Sequence, residues 1–409
     1  MLLPLQEDRA TAESCVHAWV RDQRVDRERY ELIVLAPGLD PALEARVRPL
    51  LSRHDRWIAH DDPDEYELFN LGARIARGRW LFLTEAHCVP EPTCLSGMLA
   101  HLDETGEAGA RGRSIGVGIG PLGRLEKSAY AEFLAEGEAD DHWCKVLIHS
   151  MALARGVYLE AGGFPARYGD FAPWALAIGL RERGHRVGFT TRSAVRHVYT
   201  GELGMLADHV RDFARGEFRF LAEQPASVTE RYLHETEEWT TQCGYSRAGA
   251  RRALRAAAGA RQPDAAVLRA AIRHAIVASV GPRASVAAAR VAAAAWRTRV
   301  RIEPELGGRR RRAYLRYWQS CARLGRREFL AAHRRQSHRP LRVCTSISRI
   351  RRPGTAWWGS IQRRRRAASA FAGPRRWPSS TSSCQRGRAM RRRWTCCRCD
   401  LNRRRTSVS

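Results

Sequence analysis

Two residues that could bind a divalent cation, Glu85 and His87, follow a short apolar run in the sequence. Residues 79–83 read Arg-Trp-Leu-Phe-Leu, a pattern that predicts a buried strand. Because Glu85 and His87 are two positions apart, a turning backbone just after that strand would direct both toward one point, as an oxygen and a nitrogen ligand. A cation held there could bind a diphosphate. The alternative is a polar loop in which both side chains bond only to nearby backbone.

The elements that would position these residues alternate between strands and helices. Apolar runs predict the strands, and apolar residues at helical spacing predict the helices that follow them. We expect strands at residues 2–5, 30–35, 56–58, 79–83, 114–118, 186–190 and 194–198, with helices at 15–20, 41–51, 67–77 and 174–183. This alternation predicts an α/β fold, a mostly parallel sheet flanked by helices. In such folds ligands bind outside the carboxyl ends of the strands, which is where Glu85 and His87 are expected.

The sequence changes character twice along its length, which predicts three regions. Residues 1–225 contain the strands, and residues 226–339 are rich in Ala and Arg at helical spacing, which predicts a helical extension. Residues 340–409 are rich in Arg, Ser, Trp and Cys and show no apolar period. Within the extension, the alanine-rich stretch 284–296 predicts a packed helix, and a helix lying on a membrane surface is the alternative.

The last region carries most of the unusual charge of the chain. It holds 19 arginines against one acidic residue, Asp400, in a chain whose net charge is +27. We interpret it as a disordered or frameshifted end, because out-of-frame translation of GC-rich DNA yields this composition and the segment has no apolar face to bury. The alternatives are a basic tail that binds RNA or anionic lipid and a zinc site formed by Cys396, Cys397 and Cys399. We do not expect the body of the protein to bind nucleic acid.

Cysteine usage and hydropathy predict the cellular compartment of the protein. The six cysteines before the tail are scattered singly, as is typical of the reducing cytosol. The N-terminus does not resemble a signal peptide, and no segment reaches about 18 uninterrupted apolar residues. We therefore expect a cytoplasmic protein, with peripheral contact at the inner face of the membrane as a further expectation.

Six short segments occur in an order and spacing that is typical of one enzyme family. They are Tyr-Glu-Leu-Ile-Val-Leu at 30–35, the run from Phe69 to Leu83, Val-Pro-Glu-Pro at 89–92, the segment 159–164 that ends in Gly-Gly-Phe, the helix end at 180–187, and Arg196-His197. Together they resemble the family-2 glycosyltransferases, and the resemblance covers residues 2–220. The combination of the six segments is more specific than any one of them.

This resemblance implies a GT-A fold that binds a nucleotide-diphosphate sugar and transfers the sugar, with inversion, to a glycan or lipid-linked acceptor. It implies a divalent metal, Mn²⁺ or Mg²⁺, bound by Glu85, His87 and His197, and a structural role for His197 is the alternative. Protonation of His87 below about pH 6 would then weaken the site. The donor-binding residues that the resemblance implies are Asp40, Asn70, Glu85, His87 and Arg155.

Three sites depart from the family pattern. They are Ala36 and Pro37 where paired acids usually follow the second strand, Thr-Glu-Ala-His at 84–87 in place of D-x-D, and Ala172 and Pro173 where an acidic pair usually supplies the base. Asp40 lies further along the first of these loops. Asp170 is the carboxylate nearest the last pair and is therefore the candidate catalytic base, with capping of the helix around Trp174 as the alternative.

Other classes of function remain as alternatives. The missing acids favour a catalytically inactive GT-A scaffold that acts as a binding subunit. Residues 118–123 match G-x-G-x-x-G and suggest a dinucleotide site, but that fingerprint belongs on the first strand of its domain, and Pro121 interrupts the loop. A nucleic-acid binder would depend wholly on the residues after Pro340.

Overall fold

The computed structural model of the chain describes residues 1–233 except 8, 39, 62–63 and 139–141, and also residues 282–303 and 308–336. The tail at 340–409, its cysteines and the predictions made for it lie outside the described residues. So does the part of the helical extension between residues 234 and 281. The described residues all belong to one unit of the chain.

Eight strands form a single mixed sheet, which confirms the α/β class. The strands are β1 (Leu2–Pro4), β2 (Ile33–Pro37), β3 (Arg56–His60), β4 (Trp80–Leu83), β5 (Cys88–Pro90), β6 (Gly109–Gly118), β7 (Met151–Ala154) and β8 (Val187–Tyr199), in the order β3-β2-β1-β4-β7-β6-β8-β5. The half formed by β1 to β4 is parallel, as predicted. The other half is mixed, because β7 runs antiparallel to β4 and β6, and β5 runs antiparallel to β8.

Helices cover both faces of this sheet. They are α1 (Ala12–Arg21), α2 (Pro41–Val47), α3 (Glu65–Ile75), α4 (Cys94–Thr105), α5 (Gly120–Glu138), α6 (Arg155–Glu160), α7 (Ala172–Glu182), α8 (Leu203–Glu223) and α9 (Ala226–Tyr232), with a 3₁₀ segment at Ala166–Phe171. Alternate residues of β4 enter different cores: Phe82 packs with Trp19 of α1, and Leu81 and Leu83 pack with Phe69 of α3. A strand buried on both faces explains why its sequence is an unbroken apolar run.

The order of the parallel strands places a crevice at the ends of β1 and β4. The chain proceeds from β1 to β2 and β3 on one side, and β4 then lies on the other side of β1. Such a reversal of strand order leaves a gap outside the carboxyl ends of the two strands, where α/β proteins bind ligands. The residues that follow β1 and β4, through Glu7 and Glu85, therefore line one crevice.

The helical extension packs on the sheet domain and shares a core with it. Two long helices, α10 (Pro282–Ile302) and α11 (Arg309–Gln336), pack against each other, and α11 packs on α8 and α5. Tyr314 and Trp318 of α11 lie in one apolar cluster with Leu203 of α8 and Ala129 of α5. The helices at residues 282–336 thus share their core with the sheet domain.

One face of α10 is buried, as the packed-helix interpretation of residues 284–296 predicts. Ser285, Ala289, Ala293 and Val300 are each less than 9% exposed, at the four- and seven-residue spacing that puts them on one side of the helix. No helix among the described residues is long and apolar enough to cross a membrane.

Candidate functional site

Four side chains with metal-binding atoms meet at the carboxyl end of β4. The chain turns immediately after this strand, where the backbone amide of Cys88 donates to the carbonyl of Glu85 at 3.0 Å, and then forms β5. Because β5 pairs with β8 in antiparallel register, Cys88 lies opposite His197. One ligand atom from each of Glu85, His87, Cys88 and His197 lies within 4.8 Å of all the others. Three of these residues were expected to bind a metal, and Cys88 was not.

Three of the distances within this cluster are close to those between the ligands of a tetrahedral ion. Nε2 of His87 is 3.2 Å from Nε2 of His197, and Oε2 of Glu85 is 3.6 Å from both Nε2 of His87 and Sγ of Cys88. Zinc bonds of about 2.0–2.3 Å imply ligand-to-ligand distances of about 3.3–3.7 Å in a tetrahedron. His87 is also oriented for ligation, because its Nδ1 donates to the backbone carbonyl of Glu7 at 2.8 Å and leaves a lone pair on Nε2. The donor set therefore fits a transition-metal ion.

A third imidazole, His149, adjoins the cluster and was missed by the sequence analysis. Its ring stacks on His197 with centroids 3.9 Å apart, and its Nε2 lies 3.5 Å from Oε2 of Glu85. Its Nδ1 is 3.1 Å from the hydroxyl of Ser114. The antiparallel direction of β7 brings the residues before Met151 to the carboxyl end of β4, and no local spacing rule reports that direction.

Burial sets the protonation of these groups. It lowers the pKa of His87 to about 3 and the pKa values of His149 and His197 well below their usual range. It raises the pKa of Glu85 to about 7. The imidazoles are consequently neutral, which is their metal-binding form. The expectation that His87 becomes protonated below about pH 6 was wrong, because a charged ring is costly at this depth.

The candidate base, Asp170, lies in the same crevice and is held by a histidine from α8. Its Oδ2 accepts from Nδ1 of His209 at 2.8 Å, and Nε2 of His209 donates to Oε1 of Glu7 at 2.7 Å. Its Oδ1 accepts from the hydroxyl of Tyr66 at 3.3 Å. The side chain of Asp170 does not cap α7, whose N-cap residue is Phe171 and has no side-chain cap. Helix capping is thus excluded as the role of Asp170.

The two carboxylates keep His209 protonated. Desolvation lowers the pKa of His209, but the hydrogen bonds and charges of Asp170 and Glu7 outweigh it and raise that pKa to about 11. Desolvation likewise raises the pKa of Glu7, yet His209 and Arg9 hold it at about 2. Arg9 donates to Oε2 of Glu7 at 2.8 Å. The sequence analysis singled out none of these three residues.

A fourth carboxyl group, Glu65, comes from the first turn of α3. Desolvation, followed by the charges of Glu85, Asp170 and Glu7, raises the pKa of Glu65 well above its usual range. The crevice thus combines four carboxyl groups with two cations, Arg9 and His209, in one small volume. Such a concentration of interacting ionisable groups in a cleft is typical of functional sites.

Three predicted donor-binding residues are engaged elsewhere. Asp40 caps α2, since its carboxylate accepts from the amides of Ala42 and Leu43 at 3.1 and 3.0 Å. Arg155 donates to the carbonyls of Ala73 and Arg74 at the end of α3, at 2.9 and 3.0 Å. Its neighbour Ala154 pairs with Trp80, the first residue of β4. Arg155 therefore lies at the opposite edge of the sheet from Glu85, and the structure does not bring it to the crevice.

The third residue, Asn70, joins α3 to the Gly-Gly-Phe loop. Its Oδ1 accepts from the amide of Phe164 at 2.9 Å and from the hydroxyl of Tyr158 at 2.7 Å, and its Nδ2 donates to the carbonyl of Phe164 at 2.9 Å. Nδ2 also lies 3.4 Å from Glu67. The buried amide has its hydrogen-bonding capacity filled by protein groups, so its role here is structural.

The glycine pattern at 118–123 has a packing explanation. A Cβ on Gly123 would lie 2.3 Å from the carbonyl oxygen of Tyr199, and one on Gly118 would lie 2.7 Å from the amide of Arg124. The glycines let α5 begin directly against β8. This close approach accounts for the pattern without a dinucleotide.

Comparisons with known proteins found similarity at the level of solved structures. No protein-family model and no curated protein matches the chain. A mannosyltransferase from Pyrobaculum calidifontis, in complex with GDP-Man and Mn²⁺, matches at 15% identity and a TM-score of 0.49, over 80% of this chain and 85% of that one. TarS residues 1–349 from S. aureus, in complex with UDP, match at 11% identity and a TM-score of 0.40, over 83% and 92%. Glucosyl-3-phosphoglycerate synthase from Mycobacterium tuberculosis matches at 18% identity and a TM-score of 0.38, over 56% of this chain and 78% of that one.

Proposed function

We propose that this protein is a glycosyltransferase that moves a sugar from a nucleotide-diphosphate sugar to an acceptor hydroxyl, with inversion, in glycan or polysaccharide synthesis. One observation carries the proposal: the candidate base Asp170 and the cluster around Glu85 lie in one crevice at the ends of β1 and β4. The family-2 resemblance implies a base and a diphosphate anchor for these two segments, which are far apart in sequence. A transferase needs both groups beside one bound donor.

A metal ion fits the cluster at the end of β4. Glu85, His87, Cys88 and His197 would hold it, and when bound it would supply positive charge to the leaving diphosphate. Thiolate and imidazole ligands favour zinc and similar transition ions, whereas magnesium prefers oxygen ligands and retained water. The sulfur of Cys88 therefore makes Mg²⁺ a less suitable ion for this site than Glu85 and His87 alone would.

The chain's own residues would act on the acceptor. Asp170 accepts the proton of the attacking hydroxyl, as a general base does. His209 and Tyr66 each occupy one lone pair of that carboxylate and fix its orientation, so that further lone pairs remain for the acceptor. Glu7 holds His209 from its other side.

Substitution of Asp170 tests this proposal. Asp170→Asn keeps the size of the side chain but removes the base, so we expect transfer to fall about 10²- to 10⁴-fold. Donor binding, followed by thermal shift over a panel of UDP- and GDP-sugars, is expected to stay unchanged. Asp208→Asn is the control, because that carboxylate lies on α8 next to His209 in the sequence and is 77% exposed. Transfer by Asp170→Asn at the parent rate would remove Asp170 from the mechanism.

An inactive GT-A scaffold that serves as a binding subunit is the second candidate. The specific observation in its favour is that apolar residues, including Ala36 and Ala172, stand where the family pattern has acids. Hydrolysis of the donor without acceptor separates the two candidates, since an active transferase releases free sugar slowly. Donor binding without any hydrolysis or transfer, across the whole panel, would favour the scaffold.

A further inference from the structure

One long face of α10 is exposed and carries no charge. The eight residues on it are three or four positions apart, the spacing that places side chains on one side of a helix. All eight are exposed, including Val291 at 70% and Ile302 at 74%. The other six are Ala284, Ala287, Ala288, Ala294, Ala295 and Thr298. We call these eight residues the outer face of α10, because they lie opposite Ala293 and Val300, which pack with α11.

Arginines border this outer face along the whole helix. Three of them follow one edge and one follows the other, namely Arg283, Arg290 and Arg301, and then Arg299. All four are exposed. Arg290 and Arg299 each pair with a glutamate outside α10, at 3.3 and 2.8 Å. With the residues that the structure describes, Arg283 and Arg301 form no ion pair, so the borders of the face keep positive charge.

The two helices of the extension are strongly basic as a whole. Residues 282–336 contain 15 arginines and only three acidic residues, all of them glutamates. A second copy of the chain would bring the same positive charge to this face, so repulsion opposes self-association through it. The charge favours a polyanion as the partner.

The uncharged face distinguishes between two kinds of polyanion. A nucleic acid would pair its phosphates with the arginines but would leave the uncharged face in water. An anionic bilayer offers partners to both, because a surface helix buries its apolar face at the acyl boundary while its cations meet the lipid head groups. The 21 residues of α10 give it a length of about 30 Å, enough for such a contact.

We propose that the outer face of α10 docks this protein on an anionic membrane surface, with the helix axis parallel to the bilayer. Val291 and Ile302 enter the acyl boundary, and Arg283 and Arg301 lie at the level of the head groups. Alanine adds little apolar area, so the arginines supply much of the affinity, each strengthening binding about fivefold. The contact is peripheral and reversible. It does not depend on the proposed transferase function, because it uses no residue of the crevice.

The test is co-sedimentation of the full chain with lipid vesicles. Equal parts of phosphatidylglycerol and phosphatidylcholine form the anionic vesicles, and phosphatidylcholine alone forms the neutral ones. We expect binding to the anionic vesicles to be stronger by about tenfold or more, because only they attract the arginines. Equal binding to both kinds of vesicle would overturn the proposal.

Because the tail at 340–409 is also basic, variants of the outer face must locate the contact. Val291→Asp and Ile302→Asp each put a negative charge on this face, and each should weaken binding to anionic vesicles about tenfold or more, through lost apolar contact and added repulsion. Leu159→Asp is the matched control, since it adds the same charge at an apolar side chain of α6 that is 37% exposed. It should bind as the parent does. Binding that neither outer-face variant weakens would overturn the proposal.

A substitution that strengthens binding excludes misfolding as the cause of the effects. Ala295→Leu adds apolar area at an exposed position of the outer face, so it should bind anionic vesicles about threefold more tightly or better. Ala131→Leu makes the same change at an exposed position of α5 and should bind as the parent does. The absence of any gain in Ala295→Leu would contradict burial of this face in the bilayer.

Two further measurements identify a different partner. A parent dimer in light scattering that Val291→Asp converts to a monomer would replace the membrane with a second copy of the chain. Binding of single-stranded RNA that Val291→Asp and Ile302→Asp weaken, with vesicle binding unchanged, would assign the outer face to a nucleic acid. Either result would overturn the proposal.

Discussion

His209 is the residue on which the arrangement of the crevice depends most. It bridges Asp170 and Glu7, which are 39 and 202 residues away in the chain, and its ring nitrogens are 2.8 and 2.7 Å from the two carboxylates. A protonated imidazole between two anions neutralises part of their repulsion. It also fixes the carboxylate that we propose as the base, which is why we regard it as a positioning residue.

The pH dependence of stability tests this role. The pKa of His209 is raised to about 11 in the folded protein. Its contribution to the free energy of unfolding is therefore fully present below about pH 6.5 and is lost as the pH rises through about 11. Glu7, with its pKa lowered to about 2, contributes above about pH 4.5 and loses that contribution as the pH falls through about 2. Both contributions are complete only between these limits, near pH 5 to 6.

We expect His209→Gln to have a lower free energy of unfolding than the parent at pH 6, and the difference to become small at pH 10.5. Urea unfolding at both pH values measures this. His17→Gln is the control, because His17 is 56% exposed on α1, away from the crevice. A stability difference between parent and His209→Gln that is the same at both pH values would show that the imidazole is not charged in the folded state.

The four-residue cluster makes a prediction about metal binding. His87→Ala and Cys88→Ala are each expected to weaken Zn²⁺ binding by about 10- to 100-fold or more, since even groups that only orient a ligand contribute that much. The measurement is competition with a chelator. Cys144→Ala is the matched control, a buried free cysteine outside the cluster. Zinc affinity should also fall as the pH falls, because burial raises the pKa values of Glu85 and Cys88, and both groups must lose their protons to bind the ion. Affinities unchanged in both variants would exclude the site.

At the scale of elements, a glycine in α8, Gly216, allows this helix to pack closely on the 3₁₀ segment Ala166–Phe171. A Cβ on Gly216 would be 1.8 Å from the carbonyl oxygen of Tyr168 and 2.9 Å from Cβ of Phe171. Only a residue without a side chain lets the helix approach the 3₁₀ segment this closely. That contact sets Asp212 against the amide of Asp170, and thus places the candidate base.

We therefore expect Gly216→Ala to destabilise the protein by about 1–3 kcal/mol, the usual cost of overpacking, and to lower transfer activity with it. The control is Gly204→Ala on the same helix, where the nearest atom to an added Cβ is 3.7 Å away. It should be neutral or slightly stabilising, because alanine has the better helix propensity. Thermal unfolding measures both variants. A Gly216→Ala melting temperature equal to that of the parent would contradict the close approach of α8 to the 3₁₀ segment.

At the scale of the whole molecule, the extension and the sheet domain form one folding unit. The hydroxyl of Tyr317 donates to the carbonyl of Leu203 at 2.7 Å, and Tyr314 and Trp318 complete the core between α11 and α8. Each large aromatic removed from a core costs about 3–5 kcal/mol. A typical domain has only about 5–15 kcal/mol of stability in total.

A chain that ends at residue 281 should therefore fail to fold, whereas one that ends at Arg339 should keep the melting temperature and donor binding of the full protein. The second expectation rests on the sequence of the tail at 340–409, which shows no apolar period and therefore no face to bury. Circular dichroism and thermal shift measure both. Tyr317→Phe serves as the mild control and should cost about 0.5–1.5 kcal/mol. Cooperative unfolding of the 1–281 chain at the parent temperature would show that the extension is dispensable.

The sequence by itself determined the class of fold and the position of two site residues, Glu85 and His87. Apolar runs and helical spacing record which local faces are buried, so the alternation of strands and helices could be predicted from residues close together in the chain. For the same reason the position of Glu85 and His87, just after a buried strand, indicated that they lie at a ligand-binding edge.

Only the tertiary structure decided which partners these residues meet. Cys88 faces His197 because β5 and β8 pair antiparallel, and His149 joins them because β7 opposes β4; strand direction leaves no mark on apolar periodicity. Asn70 and Arg155 each bond to groups more than 80 residues away, Phe164 for Asn70 and Ala73 for Arg155, and sequence spacing does not reveal such partners. A side chain's role follows from what surrounds it, and long-range pairing sets those surroundings.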